Sequence, residues 1–86
     1  MFELIYARSV EKDLRRIPAS DLKRLRNGPD KLREFPNLSS YRQLRNHPLA
    51  DYRLRSGKYR VLFDVDWPSR PIHILKIGTR QDVYEP

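Results

Sequence analysis

The sequence predicts an α+β fold: an N-terminal strand, a two-helix hairpin, then a three-stranded antiparallel meander with the helices on one face. Three observations carry this. Residues 51–84, DYRLRSGKYRVLFDVDWPSRPIHILKIGTRQDVY, alternate apolar and basic side chains at period two around two short turns. Upstream, apolar residues recur at helical spacing and are cut by prolines. Finally, 86 residues suffice for one small domain, 1–86, with a thin core. Two helices can cover only one face of so small a sheet, which leaves the other to solvent or a ligand.

The first strand is the apolar run Phe2 to Ala7, ended by Arg8-Ser9. Ser9 is the expected N-cap of a first helix, in which Val10, Leu14 and Ile17 share a face and Glu11, Lys12, Arg15 and Arg16 point outward. Pro18 stops it, because the residue before a proline is pushed out of the α region. Ser20 is the expected cap of a second helix, with Asp21 placed favourably at the positive end of its dipole. Leu22, Leu25, Leu32 and Phe35 continue one stripe across Asn27-Gly28-Pro29, so a kink or a stop and restart is expected near Gly28. Phe35-Pro36 ends the helical region.

Residues 37–50 are polar, with Tyr41 and Leu44 as anchors, and read as a loop along the sheet edge. A second strand starts near Asp51. Gly57-Lys58 is a two-residue hairpin turn, with Gly57 supplying the positive φ of its first position. The third strand runs from Tyr59 to Asp66, Trp67-Pro68-Ser69-Arg70 turns the chain, and the fourth runs from about Pro71 to Gly78. Nothing in the order suggests a repeat, a linker or a low-complexity tail.

Eighteen Lys and Arg against eleven Asp and Glu give a net charge of +7, which points to an anionic partner, either nucleic acid or an acidic protein. Without cysteine there are no disulfides, thiolate metal sites or thiol chemistry, and a reducing cytosol fits. No apolar run approaches the ~20 residues that span a bilayer. The start, MFELIYARSVEKDL, turns acidic and polar too soon for a signal peptide, so a cytoplasmic protein without membrane contact is expected.

The hairpin turn fixes which side chains share a face. It pairs Ser56 with Tyr59, Arg55 with Arg60 and Arg53 with Leu62. Tyr52, Leu54, Val61, Phe63 and Val65 then face the helices, and Arg53, Arg55, Arg60 and Leu62 face away. Arginines on solvated strands are common, and any one of them alone signals nothing. Two directly opposed arginines repel, however, and a phosphate between them turns the repulsion into a clamp.

The run YRLRSGKYRVLFDVD, followed by a strand ending KIGTRQDVY, resembles the RelE-type toxins of type II toxin–antitoxin systems, within the RelE/ParE superfamily. The resemblance covers essentially the whole chain, and its most specific parts are the arginine of GKYR and the terminal Gly-x-Arg-x-x-x-Tyr. It implies a RelE-like (microbial ribonuclease-like) sheet and a metal-independent, cofactor-free endoribonuclease, an mRNA interferase that cuts mRNA in the ribosomal A site against 16S rRNA. The RNA's own 2′-OH attacks the adjacent phosphate. Arg60 matches the arginine that holds that phosphate, Arg80 the one beside the leaving 5′-oxygen, and Tyr84 the tyrosine that contacts RNA near the cut. Arg53, Arg55, Lys58 and Lys76 are expected to bind RNA. A cognate antitoxin is implied as partner, in a hetero-oligomeric complex.

That chemistry needs positive charge on the developing phosphorane, an acceptor for the 2′ proton and a donor to the leaving oxygen. One departure matters. Arg53 stands where several members have lysine as a proposed base, and arginine does not deprotonate in proteins. Thr79 stands where many have histidine or lysine. The base is unassigned among Asp51, Lys58, His47 and Tyr84, unless the protein works by orientation and charge alone. Arg60 and Arg80 are expected to lie exposed, so their removal should alter stability little. His73 is expected to face the helices or the sheet edge, and Trp67 to lid the core or stack on RNA. Two other readings are a ParE-like toxin acting on DNA gyrase without nuclease activity, and an inactive basic binding module.

Overall fold

Each break among the helices falls where proline or glycine interrupts the hydrogen-bond ladder. The computed structural model describes residues 3–66 and 71–84. Strand β1 (Glu3–Tyr6) leads directly into α1 (Arg8–Arg15), Pro18 separates it from α2 (Ala19–Leu25), and α3 (Asn27–Lys31) restarts across Gly28-Pro29 before a 3-10 turn over Leu32–Glu34. The stripe keeps its phase through the restart, for Leu25, Leu32 and Phe35 are all buried. The expected serine caps are not used. The cap positions are Ala7 and Pro18, and Ser9 and Ser20 lie inside their helices. Pairing with the last strand carries the first one residue further, where the Ala7 N–H donates to the Ile74 carbonyl at 2.8 Å, and the helix begins at once.

The remaining elements are β2 (Tyr41–Gln43), β3 (Tyr52–Ser56), β4 (Tyr59–Val65), β5 (Pro71–Thr79) and α4 (Arg80–Tyr84). The sheet runs β1-β5-β4-β3-β2, with β1 parallel to β5 and every other pair antiparallel. This is the predicted α+β arrangement with two additions, β2 and α4. The expected turn at Trp67–Arg70 lies outside the described residues.

Strand β2 corrects the reading of residues 37–50 as a loop. Tyr41, Arg42 and Gln43 pair with Leu54, Arg53 and Tyr52, and the contact is extended by Arg55 N–H to Ser40 O (2.9 Å) and Leu44 N–H to Asp51 O (2.7 Å). Ser40 (φ 72°) and Asn46 (φ 57°) adopt left-handed conformations on either side, which keep the strand short. Aromatic packing holds it: Phe35 lies 5.0 Å from Tyr41, 5.4 Å from Tyr52 and 5.9 Å from Phe63. Such pairs contribute about 0.5–1.5 kcal/mol each beyond their buried area.

The hairpin has the predicted register, Ser56 with Tyr59 and Arg55 with Arg60, and Gly57 takes φ 60°. Between β4 and β5 a bulge places Leu62 opposite Lys76 and Phe63 opposite Ile74, leaving Leu75 as the extra residue. Ile72, Ile74 and Ile77 thereby all pack in the main core beneath the helices, while Leu75 joins Leu62 on the other side. His73 is corrected by the same alternation. Lying between buried Ile72 and Ile74 and opposite Ile5 and Asp64, it faces away from the helices, 3.9 Å from Asp66.

The sheet edge left beyond β1 is closed by α1. Asp13 accepts the Ile77 N–H at 3.1 Å and pairs with Lys76 at 3.5 Å, while the Ser9 hydroxyl reaches the Leu75 carbonyl at 3.4 Å. Side chains of the helix thus satisfy edge groups that would otherwise template another strand.

The second face is not wholly open. Ala50, Leu62 and Val83 are buried there, with Leu44 and Leu75 packed against them. Helix α4 folds back onto that face, and burying a side chain such as Val83 favours the docked state by about 1.5–3 kcal/mol.

Candidate nucleic-acid interface

Backbone register assembles an arginine surface on the face opposite the helices. Antiparallel partners share a face, so Arg42 of β2 stands beside Arg53 of β3, in line with Leu62 of β4. One rung nearer the turn, Arg55 stands beside Arg60, in line with Gly78 of β5. Beyond the arginines towards the far end of the strands comes a carboxylate rung, where the Asp51 N–H donates to Asp64 Oδ1 at 2.6 Å. Basic and acidic ends therefore follow one another along the same strands.

Helix α4 brings the terminal motif to this face. Thr79 caps it: the Asp82 carboxylate accepts the Thr79 N–H at 3.1 Å and its hydroxyl at 3.0 Å, and the Asp82 N–H reaches back to that hydroxyl at 3.5 Å. This reciprocal arrangement satisfies donors at the helix start. Donation from the Thr79 N–H, then from its hydroxyl, holds the Asp82 carboxyl below the usual carboxylate range. Arg80 is the first residue of the helix and is exposed. Tyr84 is its last residue, and the Tyr84 side chain lies outside the described part of the structure. Thr-x-x-Asp is the capping signature in the sequence that would have revealed α4.

Arg60 is a correction. It is 7% exposed, and Nη1 donates to the Gly57 and Tyr59 carbonyls, each at 3.0 Å. The two carbonyls of the turn and strand hold its guanidinium in a fixed pose. Arg53 is half-buried and Arg55 exposed.

Lys58 sits at the hairpin turn, and Lys76, opposite Leu62 on the arginine face, is drawn to the sheet edge. Lys58 pairs with Asp21 of α2 at 3.3 Å, and Lys76 with Asp13 of α1. Both line a polar cleft of about 600 Å³ between α1, the hairpin turn and α4, with Arg16, Tyr59 and Asp82, and without Arg53, Arg55 or Arg60.

Two of the four base candidates are already engaged. His47 Nε2 donates to the Val83 carbonyl at 2.7 Å and Nδ1 accepts the Leu49 N–H at 3.1 Å, so the ring ties the preceding loop to α4. The contact to Asp21 raises the Lys58 pKa, which keeps that amine protonated. Asp51 is exposed at the carboxylate end of the surface.

The fold and these motifs have close counterparts. A family model described as the ParE toxin of the type II toxin–antitoxin system parDE matches residues 4–84. A Methanocaldococcus jannaschii protein named "Putative toxin RelE1" is 33% identical over 98% of this chain and 96% of its own length. Among solved structures, the archaeal RelE–RelB complex from Pyrococcus horikoshii has a chain with TM-score 0.71 and 28% identity, covering 92% of this chain and 94% of that one. The Mycobacterium tuberculosis toxin–antitoxin complex RelBE2 gives TM-score 0.69 at 23% identity, covering 92% and 98%. At that identity it speaks for the fold alone. The architecture is that of the RelE toxins. The chain belongs to the RelE/ParE family of type II toxin–antitoxin toxins.

Proposed function

We propose that this toxin is a ribosome-dependent mRNA endoribonuclease of the cytoplasm, restrained by a cognate antitoxin. The observation that supports the reading is the rung Arg55–Arg60–Gly78 with Arg80 at the head of the helix folded beside it. Asp82 fills the space over Gly78, so in this reading the phosphate lies over Arg55 and Arg60 on the side of the rung away from that carboxylate. In this reading Arg60, held by two carbonyls, stabilises the charge of the phosphorane formed when the 2′-OH attacks. Arg80 lies beside the departing 5′-oxygen, and Tyr84 offers a flat face to an unstacked base, worth ~1–3 kcal/mol. Arg53 and Arg55 hold neighbouring phosphates. Lys58 and Lys76, engaged by Asp21 and Asp13, take no part. The products are a 2′,3′-cyclic phosphate and a 5′-OH. The 2′ proton passes to Tyr84 or water, because Asp51 stands two rungs away and arginine cannot accept it, and the departing 5′-oxygen takes its proton from water.

The solved relatives with RelB partners support a hetero-oligomeric resting complex, in which an antitoxin segment covers the basic face. Primer extension on cellular mRNA after induction tests the reading. New 5′ ends within reading frames are expected with the wild type and absent with Arg80→Ala. Intact transcripts would overturn it.

A second reading, a ParE-like action on DNA gyrase, is favoured by the family model over residues 4–84 and by the use of Arg60 to hold hairpin carbonyls. Intact mRNA together with DNA damage would select it.

A further inference from the structure

We infer that Arg42, on the short strand β2, is part of the RNA path and carries it off the sheet edge. The inference rests on the nuclease reading above and extends its site by one strand. Arg42 is the Cα partner of Arg53 and is exposed, and among the described residues it makes no ion pair. Like charges directly opposite one another destabilise a sheet, and this sheet holds two such pairs on adjacent rungs, Arg42–Arg53 and Arg55–Arg60. Packing does not require the exposed Arg42, because the main core lies on the opposite face beneath Tyr41, Leu54 and Val61.

Rungs two residues apart are separated by roughly 6.8 Å along the strands. That is close to the spacing of successive phosphates in an extended single strand, so each rung takes one phosphate. The next rung on this face carries Asp51 and Asp64, which repel a polyanion. A backbone lying on both arginine rungs cannot continue along the strands, and the cationic exit runs sideways over Arg42. Single-stranded RNA is the occupant this charge pattern fits.

The test is fluorescence anisotropy of a short single-stranded 2′-O-methyl oligonucleotide, which cannot be cleaved, titrated over a range of salt. Arg42→Ala should reduce the slope of log K against log salt by about 0.7, the loss of one phosphate contact. Its thermal midpoint should equal or exceed that of the wild type. Arg42→Lys should restore the slope, and Arg15→Ala, at an exposed position on α1, should leave it unchanged. An unaltered slope in Arg42→Ala, or an equal loss in Arg15→Ala, overturns the inference while leaving the nuclease reading standing. A polyglutamate peptide that binds with the same dependence on Arg42 also overturns it, in favour of an acidic protein. No binding by the wild type overturns the inference and leaves the nuclease reading to primer extension.

Discussion

Asp82 sits directly over Gly78, and a Cβ added to that glycine would lie 2.8 Å from the Asp82 Cβ. The absence of a side chain at position 78 is therefore what allows α4 to fold back beside Arg60. Gly78→Ala should displace the helix, at about 1–3 kcal/mol of strain or lost packing. Hydrogen exchange is the measurement: amides of residues 81–84 should lose protection while those of the β3–β4 hairpin keep it. Unchanged protection throughout would refute the close packing.

The Thr79 cap should be worth about 1 kcal/mol. Thr79→Ala is expected to lower urea stability by roughly that amount. A larger loss of activity than of stability would follow, because Arg80 depends on the first turn for its placement. Equal stability of the variant and the wild type would show that the cap contributes nothing.

Arg60 and Arg80 should part company in stability. Arg60→Ala abandons two carbonyls beside a buried position and should destabilise by about 1–3 kcal/mol. Arg80→Ala, exposed, should stay within about 0.5 kcal/mol. Parallel urea titrations decide it, and any loss of toxicity in Arg60→Ala must be weighed against the fraction that remains folded.

Arg55 faces Arg60 across the hairpin at a position that is exposed. Arg55→Thr removes a like-charge pair and introduces a strand-favouring residue, for an expected gain of about 0.2–1 kcal/mol. The gain should shrink as salt rises. Thermal midpoints at low and high ionic strength would reveal it.

The Asp21–Tyr59–Lys58 contact should give stability a two-sided pH dependence. Hydrogen bonds from the Tyr59 hydroxyl (2.7 Å) and then Lys58 hold the Asp21 carboxyl below its usual range, while Asp21 raises both Tyr59 and Lys58. For the depressed acid, the contribution is present above its unfolded value, about 3.9, and is lost as pH falls through the lower folded value. For the two raised groups it is present below about pH 10 and lost as pH rises through their folded values. The midpoint difference between wild type and Asp21→Asn should be greatest between these limits and shrink at both ends.

The readable parts of the sequence were those in which a local rule decides geometry. A two-residue turn at Gly57-Lys58 leaves one pairing, so the partners of Arg53, Arg55 and Leu62 follow from the sequence. Breaks at Pro18 and Gly28-Pro29 were equally plain. Strand β2 was hidden because three residues show too little alternation to stand apart from a polar loop, and its strandedness comes from Phe35 and Tyr52. Helix α4 was hidden differently. Gly-Thr-Arg-Gln-Asp-Val-Tyr reads as a motif at a strand end, and the capping pair Thr79 and Asp82 is embedded within it. Without α4 there is nothing to cover Leu62, so the basic face reads as more open than it is.

The parallel pairing of β1 with β5 has a bearing on synthesis. Glu3 to Tyr6 meet partners at Pro71 to Ile74, so one strand waits for another made much later. Contacts so distant along the chain form slowly, and a nascent polypeptide lacks them altogether. The first strand of a nascent chain therefore has no native neighbour until residues 71–74 have emerged.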